Sequence, residues 1–514
     1  MAVPPWLQQQ TTRALLLGLL SAALGYFLAN SYVGRLSNHR GYRLVAVDDR
    51  VQAPRARVPR RSVVVVIDGL GYAYGLGLRA REQLQAQGAC YRTYVGVPSV
   101  SRPSYAVIST GLEQERTGAR NNDEQSPLAA ESIWEVFREA NRTVDGRSNL
   151  GWWRELFPGG FSSYAVFRHQ DNMFAPELHA DMTLLHPSYV DETAHDHGTL
   201  GEEHARDVRR VDQELTDMLR SLDLTQDLVM LTADHGHRTR GGHGGPQPEI
   251  TWVLSCFAGP GVAHRDEISS MDSRALAPAL ALLHGLRFPK HMQALGDHLD
   301  EAFTVTAAPT PADEAYVAER RSAVARYRGR NQEQLLAWGS PSWRALEASL
   351  RDEQAMRGTL AASPFALTIG LVLRRERRWR AQVVLLTLPA LAMAGATLVY
   401  VLLSGGFDAT SINSEAFFVR NAVSASMLGV LLMNAVFVAC LRGRVQRLLA
   451  SVLLVLVMSL GSAAHIAAFG WPLGYPMPTP VLYFAPFVMS VFLFVVGLEL
   501  AATAAWLRWR GSTP

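Results

Sequence analysis

Long, nearly uncharged apolar runs sit at the two ends of this chain and are missing from its middle, which rules out one water-surrounded core for the whole of it. The first run is Ala14 to Val33, preceded by Arg13. Four more occupy roughly 381–407, 421–441, 448–470 and 481–507, with short loops between them. Each is long enough to cross a hydrocarbon layer of about 30 Å as a helix. No small-residue cleavage signal follows the first run, so residues 1–35 read as an uncleaved N-terminal membrane anchor. The later four predict a four-helix transmembrane region over 381–507. With 514 residues, the chain has room for at least two structural units.

Flanking charge does not agree on an orientation. Arg374, Arg375, Arg377, Arg378 and Arg380, then Arg442, Arg444 and Arg447, then Arg508 and Arg510 all read as cytoplasmic. Arg35, Arg40 and Arg43, just past the anchor, weaken an external position for the centre of the chain. The 13-residue stretch Ala361 to Leu373 would restore that position if it crossed the bilayer, so charge alone leaves the side open. A net charge of +3 from 49 basic and 46 acidic residues, with no basic run interleaved with aromatics, argues against a nucleic-acid partner. The three cysteines, Cys90, Cys256 and Cys440, are too few for a disulfide scaffold and leave the redox compartment open.

Between the apolar ends, Ser62 to Gly69 is a β-branched run closed by an acid and a glycine, the pattern of a buried parallel strand that delivers Asp68 at its carboxyl end. Met182 to Tyr189, Leu228 to Thr232 and Ile250 to Cys256 are further strand candidates, with helical patterns over 129–141, 202–221 and 272–285. This alternation predicts an α/β domain over 60–303 built on a mainly parallel sheet, with its site at the carboxyl ends of the strands. The Pro/Ala-rich stretch 304–313 reads as a linker to a helical segment ending near 360.

His179, His186, His195, His197, His204, His235, His237 and His243 crowd into a segment also rich in acids and glycines. Three pieces stand out. Asp191 and His195 lie four apart directly after a strand, Asp234 and His235 follow another, and His243 sits between glycine pairs that let backbone approach an ion. Any one alone reads as packing or surface, whereas together they indicate a metal site. Mixed imidazole and carboxylate ligands suit Zn²⁺, with Mn²⁺ second, better than Ca²⁺ or Mg²⁺. Ser101 precedes a helical stretch that it would cap, turning free N–H groups toward a phosphate. Taken alone, it is an ordinary capping serine.

Asp68 after its strand, Ser101 with Pro103 and then Thr110-Gly111, Asp191 with His195, Asp234 with His235, and His243 together resemble the alkaline-phosphatase superfamily. Within it they are most similar to type I phosphodiesterases and to the ethanolamine-phosphate transferases that modify glycosylphosphatidylinositol. The resemblance covers about residues 60–300 and implies an alkaline-phosphatase-like sandwich fold. It implies one metal held by Asp191, His195 and His243, and a second held by Asp68, Asp234, His235 and the Ser101 oxygen. Serine stands where these groups commonly have threonine. Asn122 falls where the phosphodiesterases have an asparagine donating to a phosphoryl oxygen, and His197 and His237 are left without a ligand role. The implied chemistry is phosphodiester cleavage through a phosphoryl-Ser101 intermediate. Its acceptor is water in a hydrolase and a phospholipid or glycolipid hydroxyl at the bilayer in a transferase, phosphoethanolamine being the family-suggested head group. Two rivals remain. Ser101-x-Pro103-Ser104 partly resembles the sulfatase motif, though Tyr105 replaces its arginine, and an inactive relative would serve structure or transport. Oligomeric state is not readable from the sequence.

Overall fold

The computed structural model describes residues 5–37, residues 59–330 apart from 113, 120, 123–126, 176, 293–295 and 308–310, scattered positions between 366 and 403, and residues 415–440 and 480–512. The expected span 448–470, most of 381–407 and the helical stretch from 331 to 360 lie outside the described residues. The chain divides into two compact units, one of residues 1–38, 336–407 and 415–514, the other of residues 39–335 and 408–414.

In the second unit, β1 (Ser62–Ile67) leads to the short helices α2 (Tyr72–Leu76) and α3 (Arg79–Gln85), then β2 (Gly88–Tyr94), α4 (Ser101–Thr110) and α5 (Gln114–Thr117). There follow α6 (Ile133–Glu139), β3 (Val144–Ser148), α7 (Trp152–Leu156), β4 (Ser163–Val166) and β5 (Met182–His186). Next come α8 (Tyr189–His197), α9 (Glu202–Arg220), β6 (Leu228–Ala233), α10 (Pro248–Thr251), β7 (Trp252–Ala258) and β8 (Ser269–Asp272). The unit ends with α11 (Leu276–Leu283), α12 (Gly296–Val305) and α13 (Pro311–Arg330). The first unit carries the N-terminal helix, Pro5–Ser37, and two further described helices, Glu415–Cys440 and Pro480–Ser512.

The eight strands form one sheet in the order β4-β3-β5-β1-β6-β7-β2-β8, parallel throughout except that β7 runs against β6 and β2. Every residue of β1 is buried, because the sheet is covered on both faces. Val64 and Val66 pack into one core with Tyr105 and Ile108 of α4, Trp134 of α6 and the alanine- and leucine-rich α11. Val63, Val65 and Ile67 pack into the other with Leu84 of α3 and Val211 and Leu215 of α9. Period-two alternation thus feeds two cores from one strand, and the unbroken β-branched run is the sequence mark of that. This is the expected α/β sandwich with a mainly parallel central sheet.

Several boundaries differ from the sequence reading. The strand read as Met182 to Tyr189 stops at His186, because Pro187 cannot donate to a ladder, and α8 begins two residues later. Ile250 belongs to a helical turn opened by Pro248 at its first position, so β7 begins at Trp252. The helix read over 129–141 is trimmed to Ile133–Glu139 by a capping box between Ser132 and Glu135. Packing also runs beyond residue 303. Val305, Tyr316 and Val317 share the α4 and α11 core, and Arg320 donates to the carbonyls of Pro289 and Met292 at 2.8 Å each. Cys90 and Cys256, paired across β2 and β7, form a disulfide that the cysteine count did not disclose.

In the first unit, helix Pro5–Ser37 lies against helix Pro480–Ser512. A Cβ added at Gly497 would come within 2.5 Å of the Ala22 nitrogen, and one at Gly25 within 2.5 Å of the Phe494 nitrogen, so both glycines are required by close backbone approach. The rings of Tyr32 and Phe487 meet at 5.3 Å between centroids. The segments Gln9–Tyr32 and Phe487–Trp509 are long and apolar enough to cross a membrane by length and composition.

One contact controls how the loop after β6 sits against the loop after β1. A Cβ at Gly236 would lie 2.2 Å from the Glu249 carbonyl oxygen and 2.7 Å from Gly71 Cα, both backbone atoms unable to yield cheaply. Gly236→Ala is therefore expected to cost about 1–3 kcal/mol or more, read as a lowered thermal midpoint. A variant as stable as the parent chain would show that these loops are not held as described.

Candidate active site

Two neighbouring strands and one helix deliver three carboxylates. Asp68 follows Ile67 at the end of β1 and Asp234 follows Ala233 at the end of β6; Ile67 and Ala233 are register partners, so the two acids emerge side by side. Asp191 comes from α8, just past the end of β5 on the other flank of β1, with His195 one turn further along the same helix. The Gly-rich loop is stitched to the segment before α4. Ser99 N donates to the Gly244 carbonyl at 3.3 Å, and Ser99 Oγ donates to the Gly245 carbonyl at 2.8 Å. His243 Nδ1 meets the Ser99 carbonyl oxygen at 3.0 Å.

The side chains form two groups whose donor atoms lie within 4.8 Å of one another, Asp191 with His195, His237 and His243, and Asp68 with Asp234 and His235. In the first, His195 Nε2 lies 3.6 Å from Asp191 Oδ2 and 3.1 Å from His243 Nε2, and Asp191 Oδ1 lies 3.6 Å from His243 Nε2. In the second, His235 Nε2 lies 3.4 Å from Asp68 Oδ1 and 3.3 Å from Asp234 Oδ2. Tetrahedral ligand bonds of about 2.0–2.2 Å separate donor atoms by roughly 3.3–3.6 Å, so both groups have the spacing of a metal shell. Within these two groups, two buried oxygens lack any hydrogen-bond partner, Asp68 Oδ1 and Asp234 Oδ2. These are the two that face the His235 nitrogen. An orphaned buried carboxylate oxygen is costly unless a cation takes it up, and the residues present therefore fit divalent ions.

Hydrogen bonding distinguishes the imidazoles that could be ligands from those that could be supports. The Nδ1 atoms of His235 and His243 lie against carbonyl oxygens, of Gly236 at 3.2 Å and Ser99 at 3.0 Å, and donate to them. Their Nε2 lone pairs are thereby left for an ion. His237 is the reverse, since its Nδ1 accepts from the Gly242 N–H at 3.1 Å. Its Nε2 then carries the proton and donates to Asp191 Oδ1 at 2.7 Å. His237 is completely buried as a side chain and supports Asp191 without having a lone pair to offer, whereas His197 is exposed.

Burial and crowding set the ionisation of the cation-free cluster. Asp191 is pushed up to about 6 by burial and by the charge of Asp68. Asp234 is raised well above the carboxylate range by burial and by the charges of Asp68 and Asp191. For Asp68 burial acts upward too, but the hydrogen bond and charge of His186, with the charge of His235, outweigh it and hold the acid below its ordinary range. Burial lowers His235 to about 4 and His237 to about 3, and lowers His243 well below its usual value. Burial also lowers His195, whose side chain is 35 % exposed. Neutral imidazoles are the metal-binding form.

Ser101 does not cap α4 as the sequence suggested. It is the first helical residue; Val100 holds the capping position and makes no side-chain cap. A capping serine turns its oxygen onto its own helix, whereas Ser101 Oγ, in a buried residue, meets His235 Nε2 at 3.2 Å. Asn122 stands next to it. Its Oδ1 accepts from the Arg102 N–H at 3.0 Å, which turns Nδ2 toward Ser101 Oγ at 3.4 Å. All eight residues singled out in the sequence, Asp68, Ser101, Asn122, Asp191, His195, Asp234, His235 and His243, are thus brought to one end of the sheet. The sequence reading missed Tyr105 and His186. Tyr105 donates to Asp68 Oδ2 at 2.7 Å and lies 2.8 Å from His186 Nε2. A signal was present, since Tyr105 is one helical turn after Ser101 and His186 ends the strand before Asp191.

Residues 141–243 match the family model for type I phosphodiesterase / nucleotide pyrophosphatase. Among curated proteins, GPI ethanolamine phosphate transferase 3, catalytic subunit, is 26% identical over 269 residues in Mus musculus, covering 48% of this chain and 24% of the relative. The Homo sapiens protein is 26% identical over 284 residues, covering 51% and 26%. GPI ethanolamine phosphate transferase 2 of Yarrowia lipolytica is 24% identical over 279 residues, covering 45% and 32%. The chain thus spans about a quarter to a third of the length of these relatives. Among solved structures, murine ectonucleotide pyrophosphatase / phosphodiesterase 5 overlays with a TM-score of 0.41 at 12% identity, over 48% of this chain and all of that one. The α/β part of this chain thus resembles phosphodiesterases and phosphotransferases of the alkaline-phosphatase superfamily.

Proposed function

We propose that this protein is a membrane-bound, two-cation enzyme that cleaves a phosphodiester through a phosphoryl-Ser101 intermediate and transfers or removes a lipid- or glycan-linked head group such as phosphoethanolamine. The observation that supports this best is the uncapped Ser101 hydroxyl, 3.2 Å from His235 Nε2, with the two orphaned carboxylate oxygens of Asp68 and Asp234 around the same nitrogen. Asp191, His195 and His243 would hold one ion, and Asp68, Asp234 and His235, joined by Ser101, the other. Their nitrogen and oxygen donors suit Zn²⁺ first and Mn²⁺ second. When bound, such a pair favours an alkoxide at a nearby hydroxyl and offsets charge gathering on the phosphoryl oxygens.

Ser101 Oγ forms a bond to phosphorus while the bond to one ester oxygen breaks. The serine proton passes to solvent and the departing alcohol takes one from it. Asn122 Nδ2, held by the Arg102 N–H on the far side of its amide, donates to a non-bridging oxygen as charge builds there. Water attacking the phosphoryl-serine completes hydrolysis, and a lipid or glycan hydroxyl completes transfer. The transferase reading draws on the named activity of the three curated relatives and on helices suited to a bilayer, where a lipid donor or acceptor is met. The Cys90–Cys256 disulfide favours an oxidising compartment, and so an extracytoplasmic catalytic domain, over the side suggested by the arginines after the anchor.

Mass analysis of the trapped Ser101 peptide tests the reaction. Head-group transfer predicts an adduct of phosphate still esterified to ethanolamine; a bare phosphate contradicts it, and an unmodified Ser101 contradicts the intermediate. Asn122→Ala is expected to lower kcat by about 100-fold with little change in KM, as for loss of one oxyanion donor; steady-state kinetics with equal kcat would remove Asn122 from the reaction. Cation uptake must displace the protons held on Asp191 and Asp234, so affinity should fall as pH drops through about 6, where Asp191 takes up its proton. Zinc titration calorimetry at pH 5, 6 and 7.5 reads this, and pH-independent affinity would exclude Asp191 as a ligand.

A further inference from the structure

Each carboxylate of the cluster has one oxygen pinned by a donor that is not itself a candidate ligand, and the pin on Asp68 is the most elaborate. Asp234 Oδ1 is held by backbone, the N–H groups of Gly69 at 3.1 Å and His235 at 3.0 Å. Asp191 Oδ1 is held by His237. Asp68 Oδ2 accepts from Tyr105 at 2.7 Å and lies 3.2 Å from His186 Nε2, at the end of a chain of groups running inward from β3. Leu150 N–H donates to Ser148 Oγ at 3.0 Å, and Ser148 Oγ lies 2.8 Å from His186 Nδ1. His186 Nε2 lies 2.8 Å from the Tyr105 hydroxyl. The Tyr105 hydroxyl donates to Asp68 Oδ2 and accepts from His186 Nε2, whose Nδ1 is held by Ser148 Oγ. All four residues of this chain are buried, so water does not substitute for any link.

From this geometry we propose that Tyr105 is a positioning residue for the second cation site, fixing through its bond to Oδ2 which oxygen of Asp68 is presented to the ion. This rests on the two-cation reading above. The consequence is visible in the orphaned atom, since with Oδ2 engaged Oδ1 is the oxygen left without a partner, 3.4 Å from His235 Nε2. Tyr105 also ties that acid to the nucleophile. It lies one turn beyond Ser101 on α4, so the helix that presents the hydroxyl also sets the carboxylate orientation. The ring itself is anchored independently, stacked on Trp153 with centroids 4.2 Å apart and planes 16° apart. Removing the hydroxyl therefore leaves the packing in place.

The test is zinc titration of the full-length, detergent-solubilised protein, with Tyr105→Phe and Ser148→Ala compared against the parent chain and each variant's thermal midpoint measured alongside. Outer hydrogen-bond partners of ligands are worth about 10–100-fold in metal affinity. Tyr105→Phe should weaken the second zinc by that factor while the first is unchanged, and lower kcat at limiting zinc, with recovery in excess zinc and an unchanged KM. Ser148→Ala, at the far end of the chain, should weaken the same zinc by a smaller factor, which keeps the test available if the phenylalanine variant fails to fold. Two zinc ions bound with parental affinity by either folded variant, whatever the change in thermal midpoint, would overturn the role. Fewer than two zinc ions bound by the parent chain would overturn the two-cation reading itself.

Discussion

The candidate active site depends on holding three carboxylates close together in a buried place. Asp68, Asp191 and Asp234 come from neighbouring positions on three adjacent elements, β1, α8 and β6. Mutual repulsion and burial work against ionising all three, which is why Asp191 and Asp234 are raised while only Asp68 is kept low, chiefly by His186. Four imidazoles surround them, held neutral by the same burial that penalises the acids. Such a cluster lacks positive charge, which divalent cations would supply, and the spacings match those of a coordination shell.

The rest of the α/β unit can be understood as the frame that tolerates this arrangement. A sheet covered on both faces gives β1 and β6 no freedom to shift register, since a slip by one residue would exchange the two cores. Their terminal acids are accordingly fixed side by side. Glycines at 69 and 236 let the loops after these strands approach neighbouring backbone at distances that exclude a Cβ. The bonds from Ser99 to Gly244 and Gly245 carry His243 to the amino end of α4. The imidazoles divide by what their Nδ1 atoms face. A carbonyl there frees Nε2 for an ion, and a backbone N–H there makes Nε2 a donor, which is the difference between His243 and His237.

Much of this was legible in the sequence because it is written locally. An acid after a β-branched run, an acid and imidazole one helical turn apart, and a histidine between glycine pairs each survive as short strings. The α/β sandwich follows from strands buried on both faces alternating with amphipathic helices. Three things were not legible. The capping role assigned to Ser101 was displaced by Val100, because a cap depends on where the first helical dihedral falls and not on the presence of a hydroxyl. The Cys90–Cys256 pairing depends on the β2–β7 register across 166 residues, which no cysteine count contains. The pairing of Tyr105 with Asp68, 37 residues apart, required α4 to be laid across the end of β1.

By itself, then, the sequence determined which residue types were available and on which elements they would ride, since strand burial, helix periodicity and turn chemistry act over a few residues at a time. Only the tertiary structure decided which oxygen of each acid faces the cluster and which imidazole is a donor. Those choices are made by hydrogen bonds between elements far apart in the chain, at separations of about 3 Å that depend on register and packing rather than on composition.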